Sequence, residues 1–278
     1  MLRCNNLLAV LALGLTATAA QAQEARPELA LMGTVPIYWG EAAGLDELLE
    51  GDAPSHWARS VLEEDFTLSP LDYLSSDALA GREFLLMAQP RGLSAEENLA
   101  LDTWVRSGGT LLLFADPMMT GESRFHLGDR RRPQDVALLS PILARWGLEM
   151  QFDASQPEGP QLVDHFGDAL PVNLRGQLHY AGESPYCNIP GDGLLAHCVI
   201  GDGQAMIVAD AAMLDIAGPY DHAESALRWL IGHIFGNFGD SAGNAAQPAS
   251  ETTQNHANPP ETEGAHGHQY HSTNGNTG

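Results

Sequence analysis

The chain has 278 residues, 44% of them hydrophobic and 18% charged, with a formal net charge of −23, which is enough apolar material for one large folded domain. All thirteen basic residues are arginines. Schiff-base and lysine general-base chemistry are thereby excluded, and so acidic a surface repels nucleic-acid phosphates and anionic lipid heads.

Residues 1–22 carry Arg3, an apolar run over 7–15 and small residues ending in Ala20-Gln21-Ala22, the order of a cleavable secretory signal. The run is well short of the ~20 apolar residues that span a bilayer, so the expected location is the bacterial periplasm. Retention of the segment as an N-terminal anchor is the alternative. Cys4 precedes the apolar run and belongs to that segment.

Residues 29–39 form a first strand candidate interrupted by Gly33 and Pro36, and a short helix is expected over 56–64. Residues 84–88 and 110–115 are continuous apolar runs of the kind found in buried parallel strands. Between them Ser94 and Glu97 make a capping box, Leu101, Trp104 and Val105 share a face, and Gly108-Gly109 stops the helix. A further helix is expected over 135–146, kinked or restarted at Pro141. Residues 151–198, rich in Gly and Pro with strand-like pieces such as 177–181, read as an insertion containing a β-hairpin. Residues 205–209 give another buried strand. Leu227, Leu230, Ile231, Ile234 and Phe238 then mark a closing helix.

Alternating strands and helices imply an α/β domain over 23–238 with a mostly parallel sheet covered on both faces. From 239 to 278 there is no Leu, Ile, Val, Met, Phe or Trp, so a disordered tail is expected there. An oxidising compartment favours a disulfide between Cys187 and Cys198 across the turn-rich segment 188–193. Two free buried thiols are the alternative, because a metal site using His197 lacks ligand spacing on one turn.

The segments Phe84-Leu-Leu-Met-Ala-Gln-Pro90, Thr103-Trp-Val-Arg-Ser-Gly-Gly109, Thr110-Leu-Leu-Leu-Phe-Ala-Asp-Pro117 and Gly203-Gln-Ala-Met-Ile-Val-Ala-Asp210 together resemble the extracytoplasmic domain of gliding-motility-type ABC transporter auxiliary proteins. That family is related in fold to intraflagellar-transport proteins and class I glutamine amidotransferases. The resemblance implies a flavodoxin-like three-layer domain that is non-catalytic and serves binding or assembly in the cell envelope, with ABC transporter subunits as partners.

The residues themselves offer four chemical candidates. Neither Ala88-Gln89-Pro90 nor Ala115-Asp116-Pro117 supplies the thiol that an amidotransferase needs at a strand end. Gly239-Asp-Ser241-Ala-Gly243 fits G-x-S-x-G but follows a helix, which is the wrong context for a nucleophile elbow. Asp116 and Asp210 each close a strand, where parallel sheets bind ligands; they also suit the capping of the following turn. With His126 they compose the alternative reading, a hydrolase. Arg124, His126, Arg130, Arg131 and Arg132 concentrate cationic forks in one loop that suits an anionic ligand or acidic partner, unless nearby carboxylates neutralise them. In the tail, His266, His268 and His271 have the spacing to share a divalent metal. No other cofactor is expected.

Overall fold

The computed structural model describes residues 26–42, 44, 46–47, 55–165, 167–182, 186–215 and 218–236. The expected signal (1–22), Ser241 and the histidine-bearing tail (239–278) lie outside the described residues.

The frame is an α/β domain built on a mostly parallel seven-stranded sheet. In chain order its strands are β1 (Glu28–Gly33), β2 (Thr67–Pro70), β3 (Phe84–Ala88), β4 (Thr110–Phe114), β9 (Cys187–Asn188), β10 (Leu195–Ile200) and β11 (Gly203–Val208). They lie side by side as β2-β1-β3-β4-β11-β10-β9. The first five in that order are mutually parallel, and β10 runs against both its neighbours. The short β5 (Leu148–Phe152) pairs antiparallel with β8 (Gly176–Tyr180), and β6 (Gln161–His165) with β7 (Asp168–Val172).

Period-two alternation explains why the central strands read as unbroken apolar runs. Leu29, Leu31, Phe84, Leu86, Leu112, Phe114, Met206 and Val208 face one core, while Ala30, Met32, Leu85, Met87, Leu111, Leu113, Ala205 and Ile207 face another. The first core is closed by α1 (Trp57–Asp65) and α5 (Ala223–Phe235), through Val61, Leu62, Leu227, Leu230 and Ile234. The second is closed by α3 (Ala95–Arg106), where Leu101, Trp104 and Val105 point inward, and by α4 (Ser140–Arg145). A one-turn helix, α2 (Ser76–Leu79), precedes β3.

The expected capping box forms: Ser94 Oγ accepts from Glu97 N at 3.2 Å, and Glu97 Oε2 accepts from Ser94 N at 2.9 Å. Helix α4 corrects the expectation over 135–146. Pro141 sits in the first turn, where its missing N–H costs nothing, and residues 117–139 form a loop rather than a helix. The insertion reading of 151–198 also needs correction at its end, because β9 and β10 belong to the main sheet. The remainder holds the hairpin β6–β7, as expected.

Cys187 and Cys198 oppose one another across β9 and β10 and are joined by a disulfide. No helix among the described residues is long and apolar enough to cross a membrane.

Candidate functional site

The chain enters β1, moves outward to β2, then returns to β3 on the other side of β1. The loops after β1 and β3 therefore diverge, and this switch point is where open α/β sheets usually leave a crevice for ligand. Here most of the crevice is taken by the protein itself, leaving a pocket of about 90 Å³ against Gly33 and Ala88. Gly33 brings β1 so close to β3 that a Cβ on it would lie 2.0 Å from the Ala88 carbonyl oxygen. Thr34 N donates to the carbonyls of Ala88 and Gln89, each at 3.1 Å, and the Thr34 hydroxyl donates to Gln89 O as well.

Gln89 completes the plug. Pro90 bars the right-handed helical region to the residue before it, and Gln89 adopts a left-handed φ of 47°, rare for a side chain of this kind. Its fully buried amide accepts from Asp116 N at 2.8 Å and donates to Asp116 O at 3.0 Å and Gln134 O at 2.8 Å. Gln134 N in turn donates to Thr34 Oγ1 at 2.9 Å. One glutamine thus ties the ends of β3 and β4 to the long loop that follows β4.

Asp116 and Asp210, at the ends of the neighbouring strands β4 and β11, are both buried. All four of their oxygens hold backbone amides. Asp116 accepts from Met118 N at 2.8 Å and Ala211 N at 3.0 Å; Asp210 accepts from Asn173 N at 3.0 Å and Ala212 N at 2.7 Å. This is the capping arrangement of the two that the sequence allowed. Burial lifts the Asp116 carboxyl to about 6 despite its amide donors. Asp210 is lifted well above the ordinary range, first by burial and then by the charge of Asp116.

Around this pair the polar side chains are bonded to one another. Asn173 Nδ2 donates to Thr120 Oγ1 at 2.7 Å, and its Oδ1 accepts from Gly159 N at 3.0 Å. Tyr220 donates to Asp215 Oδ2 at 2.9 Å, and its hydroxyl is pushed up to about 12 by burial and that carboxylate. Among the described residues no hydrogen bond or ion pair joins His126 to either strand-end aspartate, so the aspartate–histidine grouping of the hydrolase reading is not assembled.

An open cleft of about 560 Å³ lies beside the plug, between the segment after β1 and the loop after β4. Glu41 spans it, its carboxylate taking the Ser123 hydroxyl and, at 3.0 Å, Arg124 N, while Arg124 Nη1 donates to Glu41 O at 2.8 Å. Arg124 also pairs with Glu47 at 3.3 Å. His56 caps α1 through Nδ1 and places Nε2 at 3.2 Å from Leu214 O; burial lowers its pKa. Arg124 is thus engaged within the fold.

The remaining loop arginines divide. Arg131 pairs with Asp129 at 2.7 Å and lies 4.1 Å over the Phe125 ring, and Arg132 reaches Asp135 at 3.4 Å and Phe125 O at 3.3 Å. Arg130 is exposed, and among the described residues no hydrogen bond or ion pair reaches it. Among the described residues no group of three His, Cys, Asp or Glu side chains is placed to hold a metal ion.

No family model matches the sequence, and neither does any curated protein. Among solved structures, the chain is similar to the mmIFT52 N-terminal domain at 15% identity and TM-score 0.45, covering 73% of this chain and 96% of that one. It is also similar to the exo-β-1,4-mannosidase Op5Man5 from Opitutaceae bacterium strain TAV5 at 14% identity and TM-score 0.44, covering 76% of this chain and 36% of the enzyme. A β-galactosidase from the haloarchaeon Halorubrum lacusprofundi is similar at 13% identity and TM-score 0.40, with 76% and 30% covered. The chain spans about a third of the length of these two glycosidases.

Proposed function

We propose that this protein is a non-enzymatic binding or assembly component of the bacterial cell envelope, periplasmic, with a flavodoxin-like frame and a protein partner belonging to an ABC-type transport system. The observation that carries the non-catalytic part is the plug. At the switch point the space a substrate would need is taken by Thr34, Gln89 and Gln134, and the strand-end aspartates spend every oxygen on backbone amides. Both carboxyl groups are buried and turned toward backbone amides, so neither is presented to a substrate at the surface. The Cys187–Cys198 bond supports an oxidising compartment, where such bonds persist.

Two measurements test this reading. The purified protein should give no turnover on chromogenic esters, amides and glycosides, and affinity capture from envelope extracts should co-purify transporter subunits. Turnover that disappears in Asp116→Asn or Asp210→Asn would overturn the non-catalytic reading; capture without any transporter subunit would overturn the ABC association.

A further inference from the structure

The turn between β7 and β8, residues 173–175, is laid across the end of β11. Asn173 N donates to Asp210 Oδ2 at 3.0 Å, and Gly176 N to Ala209 O at 2.7 Å. A third tie, from Gln156 Nε2 to Arg175 O at 2.9 Å, holds the turn from the far side. Arg175 therefore sits beside the strand end, close enough for its charge to act on the Asp210 carboxyl. Its guanidinium is nevertheless bonded outward, with Nη2 donating to Asp192 Oδ2 at 2.6 Å, on a side chain that is 44% exposed. Nη1 is buried, and among the described residues no acceptor reaches it. A buried guanidinium N–H without a partner is costly. Beside a buried carboxyl, it marks a second pairing that this arrangement leaves unused.

Asp116 and Asp210 close neighbouring strands, and two like charges placed together in the interior do not both form readily without a counter-charge. The other ionisable groups around them offer none. Asp215 and Tyr220, which bond each other on the segment after β11, are acids, and the remaining polar neighbours, Asn173 and Thr120, are uncharged. Arg175 is the cation whose charge reaches Asp210.

We infer that the strand-end pair is a proton-sensing site with Arg175 as its switch: while Asp116 and Asp210 hold a proton between them Arg175 stays on Asp192, and loss of that proton to water draws the guanidinium inward, Nη1 to the Asp210 carboxylate. This inference is independent of the binding role proposed above. Asp116 is lifted to about 6 and Asp210 is raised as well, so the pair keeps a proton at mildly acidic pH and gives it up on the alkaline side. The readout is the turn that Asp192 leaves. There Asp192 Oδ1 accepts from Leu194 N at 3.3 Å, and Gly193 O accepts from Leu178 N on β8 at 2.8 Å. Asp192 also faces His165, but burial lowers the pKa of that imidazole, so it is neutral where the switch acts and does not replace the arginine.

The test is a carboxyl-carbon NMR titration of the oxidised full chain from pH 4 to pH 9, with amide exchange and urea unfolding over the same range. Asp116 and Asp210 should titrate together, and Leu194 should lose at least about threefold in exchange protection as they do so. Arg175→Met keeps the aliphatic stem and removes the charge; the last proton should be held at least about tenfold more tightly, and stability should fall more steeply as pH rises. Asp192→Asn gives the opposite result. With its outer partner gone, Arg175 serves Asp210 at every pH, so the titration should move down and the pH dependence of stability should flatten, even though a surface ion pair has been deleted. A static surface pairing predicts that Asp192→Asn leaves the Asp210 titration where it was, and that result overturns the proposal. So does an Asp116–Asp210 pair that titrates in the ordinary carboxylate range, or Leu194 protection that ignores the titration. Asp192 is exposed, so its variant carries the test if Arg175→Met does not fold.

Discussion

Two sets of buried carboxylates sit on adjacent parts of this fold and are held in opposite ways. On α3, Glu97 receives the Arg91 guanidinium through both oxygens, at 2.7 and 2.9 Å, together with the amides of Leu74 and Ser94. Asp102 receives Arg106 at 3.0 Å, Arg145 at 2.6 Å and the Trp146 indole N–H at 3.0 Å. Burial opposes ionisation of both, but these donors win: Glu97 is lowered to about 2, and Asp102 is lowered as well. At the strand ends Asp116 and Asp210 have amides but no bonded guanidinium, and each other's charge to contend with; there burial wins, and both are raised. Counter-charge decides whether a buried carboxylate acts as an anionic staple or a proton-retaining cap.

The strongest way to break the comparison is to remove a staple. Glu97→Gln should cost about 3 kcal/mol, because it removes the buried charge that pairs Arg91 and replaces one of two oxygens, each accepting a guanidinium N–H and a backbone N–H, with an NH2 donor. Urea titration at pH 7 checks it. Asp102→Asn should follow at about 2 kcal/mol by the same measurement, since it weakens three donors that share one carboxylate. On the other side, Gln89→Ala should cost about 2 kcal/mol by losing three buried hydrogen bonds while keeping a left-handed φ, and Gln89→Gly should cost less because glycine accepts that φ. The order of these two variants in thermal unfolding tests whether the plug is a strained position.

The smallest effect is the most discriminating, since the two sets respond to pH with opposite sign. For Glu97 the folded pKa is depressed, so its stabilisation is full above the ordinary 4.5 and is lost as pH falls toward about 2. For Asp116, raised from 3.8 to about 6, the folded state holds the proton more tightly; that contribution is full below 3.8 and is lost as pH rises through about 6. Asp210, also raised, has the same sign, so Asp210→Asn should cost less at pH 8 than at pH 4. Glu97→Gln should cost more at pH 5 than at pH 2.5. Parallel pH profiles for the two variants would dissolve the distinction.

Much of the frame was legible because its central strands are buried on both faces and stand out as unbroken apolar runs too short for helices and bounded by glycine, proline or charged residues. Residues 84–88 show this, as the Ser94–Glu97 box shows it for a helix start. Strand β2 left no such signal: four residues at the sheet edge, ending in Pro70, bury little beyond Leu68. The apolar spacing of Ala137, Leu139, Ile142, Leu143 and Trp146 suits a helix, but only its second half is helical. Val136 and Leu138, exposed on either side of buried Ala137, betray the non-helical start. At the site, the aspartates were readable from their places after apolar runs, and the arginine loop from its density. Gln89 was not, because its role depends on a backbone angle and on three partners brought from elsewhere in the chain.

The disulfide has a consequence for the order of assembly. Its cysteines are separated by 11 positions, whereas the parallel pairing of β11 with β4 joins Gln204 to Thr110 across a far longer stretch of chain. Closing the short loop needs only a local encounter, so oxidation can precede formation of the parallel core and hand it a finished border. The slowest part of folding then begins from a chain that already carries one permanent landmark.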